Sequence, residues 1–228
     1  MSKVPSLAAR AWRGLLQFLA FMALLIFLPA WSLAYWQGWL YWCVFTACCA
    51  AMTAILLRRD PALVERRLNV GPNAEREPAQ KRIQLFAGVG VCAIFVVSAL
   101  DHGLGWSDPP TSIVVAGEFL TVAGFLVMYR AFRENTFASS IVEIGEGQRV
   151  IATGPYALVR HPMYSGALLL FLGTPPALAS WWGLLPVALL AALLVARLRD
   201  EERFLLRNLA GYGDYRAKVP FRLVPGLW

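Results

Sequence analysis

Residues 154–166 read Gly154-Pro155-Tyr156-Ala157-Leu158-Val159-Arg160-His161-Pro162-Met163-Tyr164-Ser165-Gly166, at the foot of an apolar run that continues to about residue 179. Gly154-Pro155-Tyr156 is a turn signal. Pro162 suits the first turn of the helix that follows, where its missing N–H is not needed. His161 then stands at the helix entrance, where backbone N–H groups without intrahelical acceptors can hold an anion. Arg160 adds a planar, fork-shaped cation suited to a carboxylate. Tyr156 and Tyr164 add flat faces and hydroxyls. Such a cluster could grip a zwitterionic or carboxylate-bearing ligand with an aromatic ring. It could equally anchor the chain at a membrane surface, with Arg160 and His161 reaching the headgroups and the tyrosines forming an interfacial belt.

Working outward, the chain is built of similar apolar runs. Of its 228 residues 58% are apolar and only 15% charged, against roughly 25% charged in a soluble domain. Mean hydropathy is +0.56. Runs of about 20 apolar residues mark membrane helices, and six segments can be drawn, at about 14–35, 39–57, 83–100, 113–131, 163–179 and 183–197. The fold class expected is all-α: a polytopic membrane bundle of five to six spans in a single integral-membrane domain, 1–228. Residues 1–132 supply the N-terminal membrane helices, and 133–228 form the half that carries the candidate binding and catalytic residues. The run from Leu15 to Tyr35 is long enough to span and lacks a clear small-residue cleavage pattern, so it reads as the first membrane helix.

The basic residues settle an expected topology. Lys3, Arg10 and Arg13 precede the first segment, and Arg58, Arg59, Arg66, Arg67, Arg76, Lys81 and Arg82 lie between the second and third. Arg130, Arg133, Arg149 and Arg160 lie at or after the end of the fourth; Arg197, Arg199, Arg203, Arg207, Arg216, Lys218 and Arg222 lie at or after the end of the sixth. These groups hold all 21 Lys and Arg residues. The connections 35–39, 101–112 and 174–182 contain none. By the positive-inside rule both termini and the long polar connections face the cytoplasm. The net charge of +7 then reflects orientation and anionic lipid headgroups rather than nucleic acid.

The last two segments are weaker spans. Pro175-Pro176 interrupts the fifth, and the sixth contains Pro186 and runs only to about Arg197. They read as a hairpin whose two ends return to the same side. The hairpin would bring the segment 133–160 next to the tail from Arg197 onward. There Arg197 and Glu201, four apart, share one helix face, and Asp200-Glu201-Glu202 places acids near a helix end whose dipole disfavours them. A plain solvated helix end remains the alternative. Asn135, Thr136 and Ser139 follow the fourth segment and are candidate lining residues. Glu118 reads as an interfacial group near the outer end of its helix, and Asp101 and His102 as part of an outer loop.

Other chemistries find little support. Cys43, Cys48, Cys49 and Cys92 lie within apolar runs and form no Cys-x-x-Cys pair, so they read as buried apolar residues. Two histidines, His102 and His161 on opposite faces, make a histidine-based metal site unexpected. There is neither a phosphate-binding Gly-x-x-x-x-Gly-Lys loop nor a Gly-x-Ser-x-Gly elbow.

From about Gln148 to Pro225 the chain resembles the isoprenylcysteine carboxyl methyltransferase family and the related phospholipid methyltransferases. The resemblance rests on Gln148-Arg149-Val150-Ile151, Gly154-Pro155-Tyr156, Arg160 to Gly166, Arg197 with Glu201-Glu202, Tyr212-Gly213-Asp214-Tyr215 and Val219-Pro220. It implies an integral-membrane methyltransferase using S-adenosylmethionine in a cytoplasmic pocket. Gln148, Arg149, Val150, Ile151, Tyr156, His161, Pro162, Met163, Tyr164 and Glu201 would contact that cofactor, with Arg160 beside them. Arg197 would face the methyl acceptor, and Glu201 or Glu202 would serve as base if the acceptor were an amine. The acceptor implied is lipophilic, entering from the bilayer, and Arg197 favours a carboxylate. Phospholipid N-methylation, an NADPH-dependent sterol or enone reductase on a related scaffold, and a non-catalytic membrane binding module are the other readings.

Overall fold

A computed structural model of the chain describes residues 5–68, 78–138 and 147–228. In chain order the helices are α1 (Leu7–Ala30), α2 (Trp36–Arg59), α3 (Pro61–Leu68), α4 (Pro78–Leu104) and α5 (Thr111–Glu134), then α6 (Pro162–Ala177), α7 (Leu184–Asn208) and α8 (Tyr212–Lys218). A single 3-10 turn, Gly154–Ala157, precedes α6, and no strand occurs among the described residues. The all-α expectation holds. Helices α1, α2, α4 and α5 are long and apolar enough to cross a membrane, which makes the chain an integral, polytopic membrane protein.

Local chemistry sets the ends. The Ser6 hydroxyl accepts from the Ala9 N–H and caps α1. Asp60 accepts from the Leu63 N–H at 2.9 Å and Pro61 opens α3, a pairing suited to a helix start. Pro162 opens α6 with His161 as its cap, as read from the sequence. Three helices differ from expectation, and α4 starts five residues before its apolar run and ends four after it. α1 begins seven residues earlier than the apolar run, because Ser6 offers a cap there. α7 continues eleven residues past Arg197 to Asn208, so Arg197, Glu201 and Glu202 stand on one uninterrupted helix that leaves the apolar zone. The 16 residues of α6 span only about 24 Å, short of the roughly 30 Å hydrocarbon core.

The main core joins α1, α2, α4, α5 and α6 through Met22, Ile26, Tyr41, Phe45, Phe95, Phe125 and Leu170. Leu16, Leu24, Leu28, Phe119 and Leu189 remain exposed on the outside, the pattern of a bundle whose perimeter meets lipid rather than water. The closest helix pair is α5 with α6. Gly117 and Gly124 on α5 meet Gly166 and Gly173 on α6. A Cβ on Gly117 would come within 2.3 Å of the Ala177 nitrogen, and one on Gly124 within 2.6 Å of the Gly166 oxygen. In lipid, where helix association depends on close packing, small residues let backbones approach in this way.

At the turn between α6 and α7 a buried carboxylate does the tying. Asp101 accepts from the Ser107 and Ser180 hydroxyls, each at 2.5 Å, and from the Trp182 N–H at 3.3 Å. Beside it the His102 ring stacks on Tyr35, whose hydroxyl donates to the Leu178 carbonyl. Asp101 and His102 thus belong to the last turn of α4, with Asp101 fully buried, rather than to an outer loop. Glu118 is likewise buried on α5 instead of lying at an interface.

Candidate active site

The hairpin α6–α7 returns its two ends to one place, as its charge pattern requires. Gly154 takes φ +56°, a conformation that favours glycine, and lies against Glu134 at the end of α5. The Thr153 hydroxyl donates to the same carboxylate. From this turn the chain runs to the start of α6 under a strap made by residues 219–223. The Arg160 and His161 N–H groups donate to the Phe221 and Arg222 carbonyls at 2.9 and 3.0 Å. The Ser165 hydroxyl donates to the Leu223 carbonyl at 2.6 Å.

Glu202 closes this strap from beneath. Its carboxylate accepts from Arg160 Nε at 2.6 Å and Arg222 Nε at 3.1 Å, and His161 Nε2 lies 3.4 Å away. Arg160 Nη1 also donates to the Val219 and Pro220 carbonyls at 2.7 and 2.9 Å. Burial alone would raise the pKa of Glu202. The hydrogen bonds from His161, Arg160 and Arg222 outweigh it and bring the pKa down to about 2.

Above this network lies a cleft of roughly 810 Å³, part of it open to solvent. One wall is Gln148, Arg149, Val150, Ile151, Tyr156, Arg160, His161, Met163 and Tyr164; the other is Glu201, Leu205, Leu209, Tyr212 and Tyr215. Asn135, Phe137 and Ala138 complete it from the end of α5. Tyr212, Tyr215 and Val219 form a small apolar cluster with Val150, Leu205 and Leu209, which holds the tail's wall upright. The Tyr215 hydroxyl donates to the Tyr156 carbonyl at 2.8 Å and ties the two walls together. Asn135 donates to the Tyr156 hydroxyl at 3.3 Å, and burial pushes that hydroxyl up to about 12.

A chain of polar contacts crosses the cleft. The Tyr164 hydroxyl donates to Glu201 at 2.5 Å and accepts from Arg197 Nε at 3.1 Å. Burial, then the Glu201 charge, raises the Tyr164 hydroxyl well above the usual tyrosine range, so it stays a neutral bridge between the two.

Ten of the residues expected at the site therefore line one cleft. Three stand elsewhere. Arg197 is one contact behind, through Tyr164. Glu202 lies beneath with its oxygens engaged by Arg160, His161 and Arg222. Pro162 turns to the opposite face of its segment. Of the suggested lining residues after α5, Asn135 is in the wall, Thr136 accepts at its carbonyl from Arg66, and Ser139 lies outside the described residues. Sequence reading missed Leu205 and Leu209, although with Glu201 they fall at four-residue intervals and so share one stripe of α7. It also missed Arg67 of α3, whose guanidinium lies over the Phe132 ring and donates to the Met163 sulfur at 3.6 Å. No sequence signal joins Arg67 to a residue 96 positions away. Among the described residues no three His, Cys, Asp or Glu side chains gather to hold a metal ion.

Residues 112–211 match the sequence profile of a family described as phospholipid methyltransferase. Methanethiol S-methyltransferase 2 of Bradyrhizobium diazoefficiens is 34% identical over 140 residues, 61% of this chain and 49% of that protein. The Delta(14)-sterol reductase of Mus musculus is 30% identical over 102 residues, 41% of this chain and 24% of that protein. The chain thus spans about half the length of the first relative and about a quarter of the second. The matched region opens with α5, includes the turn, the hairpin and Glu201, and ends at the glycine that starts α8. Over these residues, somewhat less than half of its length, the chain is similar to the phospholipid methyltransferase family.

Proposed function

We propose that this protein is an S-adenosylmethionine-dependent methyltransferase, working at the cytoplasmic membrane surface on a lipophilic acceptor that bears a carboxylate. The observation that supports this reading is the cleft itself, in which the segment 148–164 and the stripe Glu201, Leu205, Leu209 meet at the basic ends of the helices.

The residues fit the cofactor. Tyr212 lines the cleft, and its hydroxyl is buried without a hydrogen-bond partner among the described residues, an orphan that a bound ligand could satisfy. Behind Pro162, the first-turn N–H groups of Met163 and Tyr164 have no intrahelical acceptor, and with the helix dipole they suit a carboxylate. Glu201 suits an amino group or ribose hydroxyls, and Tyr156 and Tyr164 offer aromatic surface. When bound, S-adenosylmethionine supplies an electrophilic methyl group on a sulfonium.

In-line transfer from a sulfonium needs alignment and dryness more than acid–base work. Tyr164 holds Arg197 in place, and its guanidinium would orient an anionic acceptor. A carboxylate arrives already ionised and needs no base. An amine must lose a proton, and Glu202 is poorly placed to take it, because its oxygens are committed to cations. Glu201 would be left with that task.

A second reading has one observation in its favour, the methanethiol S-methyltransferase relative. A thiolate is also an anionic nucleophile, so Arg197 would serve it equally, with Glu201 available to deprotonate the thiol.

The test is methyl transfer by the purified protein in detergent, with methyl-labelled cofactor and a panel of prenylcysteine, fatty acid, alkyl thiol and phospholipid-amine acceptors. Label in a base-labile ester is expected. Label only in a thioether would select the second reading. No transfer, together with no cofactor binding by calorimetry, would reject both.

A further inference from the structure

The segment 155–165 has two lined faces. Tyr156, Arg160, His161, Met163 and Tyr164 border the cleft. Pro155, Leu158, Val159, Pro162 and Ser165 border a second hollow on the opposite side, of about 1040 Å³ and open to the outside. No residue lines both.

This second hollow is apolar along its length. Its lining includes Leu168, Leu169 and Leu172 of α6, Val127 of α5, Leu223 of the strap and Val224 just after it. Leu158, Leu172 and Val224 are 61%, 40% and 42% exposed. In water such a surface would be a liability; on an integral membrane protein it faces acyl chains. One cation stands in the lining, Arg130. It is exposed at the basic end of α5, with Arg133 one turn further on. An apolar trough along a membrane helix with a guanidinium at its mouth matches an amphiphile whose chain lies along α6 and whose head is negatively charged.

We propose that this groove binds an anionic glycerophospholipid, with an acyl chain against Leu168, Leu169 and Leu172 and the phosphate at Arg130. The site is separate from the methyl-transfer cleft and does not depend on that reading. Its consequence is mechanical. The lining residues Leu223 and Val224 continue the strap that is hydrogen-bonded to Arg160, His161 and Ser165, so a seated lipid would brace the wall shared by groove and cleft.

The test is native mass spectrometry of the full chain, delipidated in detergent and re-equilibrated with equal amounts of phosphatidylglycerol and phosphatidylcholine of matched chains. Retention of one phosphatidylglycerol in preference to phosphatidylcholine is expected. Arg130→Ala should lower that preference about five-fold. Leu168→Trp, which fills the groove, should release lipid of either class, whereas Leu189→Trp on the exposed side of α7 should release none. Thermal unfolding reports whether each variant is folded, and Leu172→Trp at the exposed rim replaces Leu168→Trp if the latter is not. A phosphatidylglycerol to phosphatidylcholine ratio near one in the native protein would overturn the proposal. So would equal lipid loss from the Leu189→Trp control and the groove variant.

Discussion

The α6–α7 hairpin is tied down at both ends by a buried carboxylate, and the two ties are made of different chemistry. At the turn, Asp101 accepts only from neutral donors, the Ser107 and Ser180 hydroxyls and the Trp182 N–H. At the open end, Glu202 accepts from the guanidiniums of Arg160 and Arg222, with His161 beside it. These neutral donors all engage Oδ2 of Asp101, and Oδ1 stays buried without a partner among the described residues. The almost fully buried Arg160, by contrast, must stay paired, and with the partly exposed Arg222 it ties the strap and the start of α6 to Glu202 beside the cleft. The first tie closes the bundle; the second also frames a site. A buried pair of charges adds little net stability against an apolar substitute, but removing one partner strands the other. The two ends should therefore respond unequally to deletion.

The largest effect is expected for Glu202→Ala, which leaves the Arg160 and Arg222 charges uncompensated and should cost about 3–5 kcal/mol. A large drop in the detergent melting temperature is expected together with loss of S-adenosylmethionine binding. Native-like values for both would break the comparison. Next is Glu201→Gln, one residue away. It keeps an acceptor for Tyr164 but removes the charge that faces the cleft. Cofactor affinity should weaken by about 1.5–3 kcal/mol in calorimetry, with the melting temperature almost unmoved. A fall in stability like that of Glu202→Ala would show that both acids belong to one structural network.

Asp101→Ala should cost about 1–3 kcal/mol, the price of leaving buried donors unmatched, while the folded protein keeps its cofactor affinity. Coupled loss of affinity would mean that the turn and the cleft are not separable. The smallest effect is a pH response. The folded pKa of Glu202, about 2, lies below its ordinary value of 4.5. Its stabilising contribution is then complete above that ordinary value and is lost as pH falls towards 2. Acid melting curves of the native protein should steepen across this window, and Glu202→Gln should flatten them. An unchanged acid limb in the variant would remove Glu202 from the account.

Much of this arrangement is legible in the amino-acid order because it follows from solvation. Apolar runs must be buried in hydrocarbon, and α2, α4 and α5 appear where those runs lie. Pro162 after His161 opens α6 because proline costs nothing at that position. Tyr156, His161, Tyr164 and Glu201 could be nominated from their chemistry and their family resemblance, and one cleft collects them. The lengths of α1, α4 and α7 were not legible from hydropathy, because these helices extend beyond the apolar zone through polar residues that are also helix formers.

The sequence by itself determined a membrane bundle, the grouping of its basic residues and the hairpin that joins two polar segments. Only the tertiary structure decided between Glu201 and Glu202. Neighbours on a helix point about 100° apart, and nothing in their order says which direction holds the cleft and which holds Arg160. The same is true of the glycines that seat α5 on α6, of Asp101 beneath the turn, and of Arg67 reaching Met163. Each role is set by a partner distant in the chain. Solvation is a property of a residue and can be read along the sequence, whereas pairing is a property of two residues and exists only once the fold has brought them together.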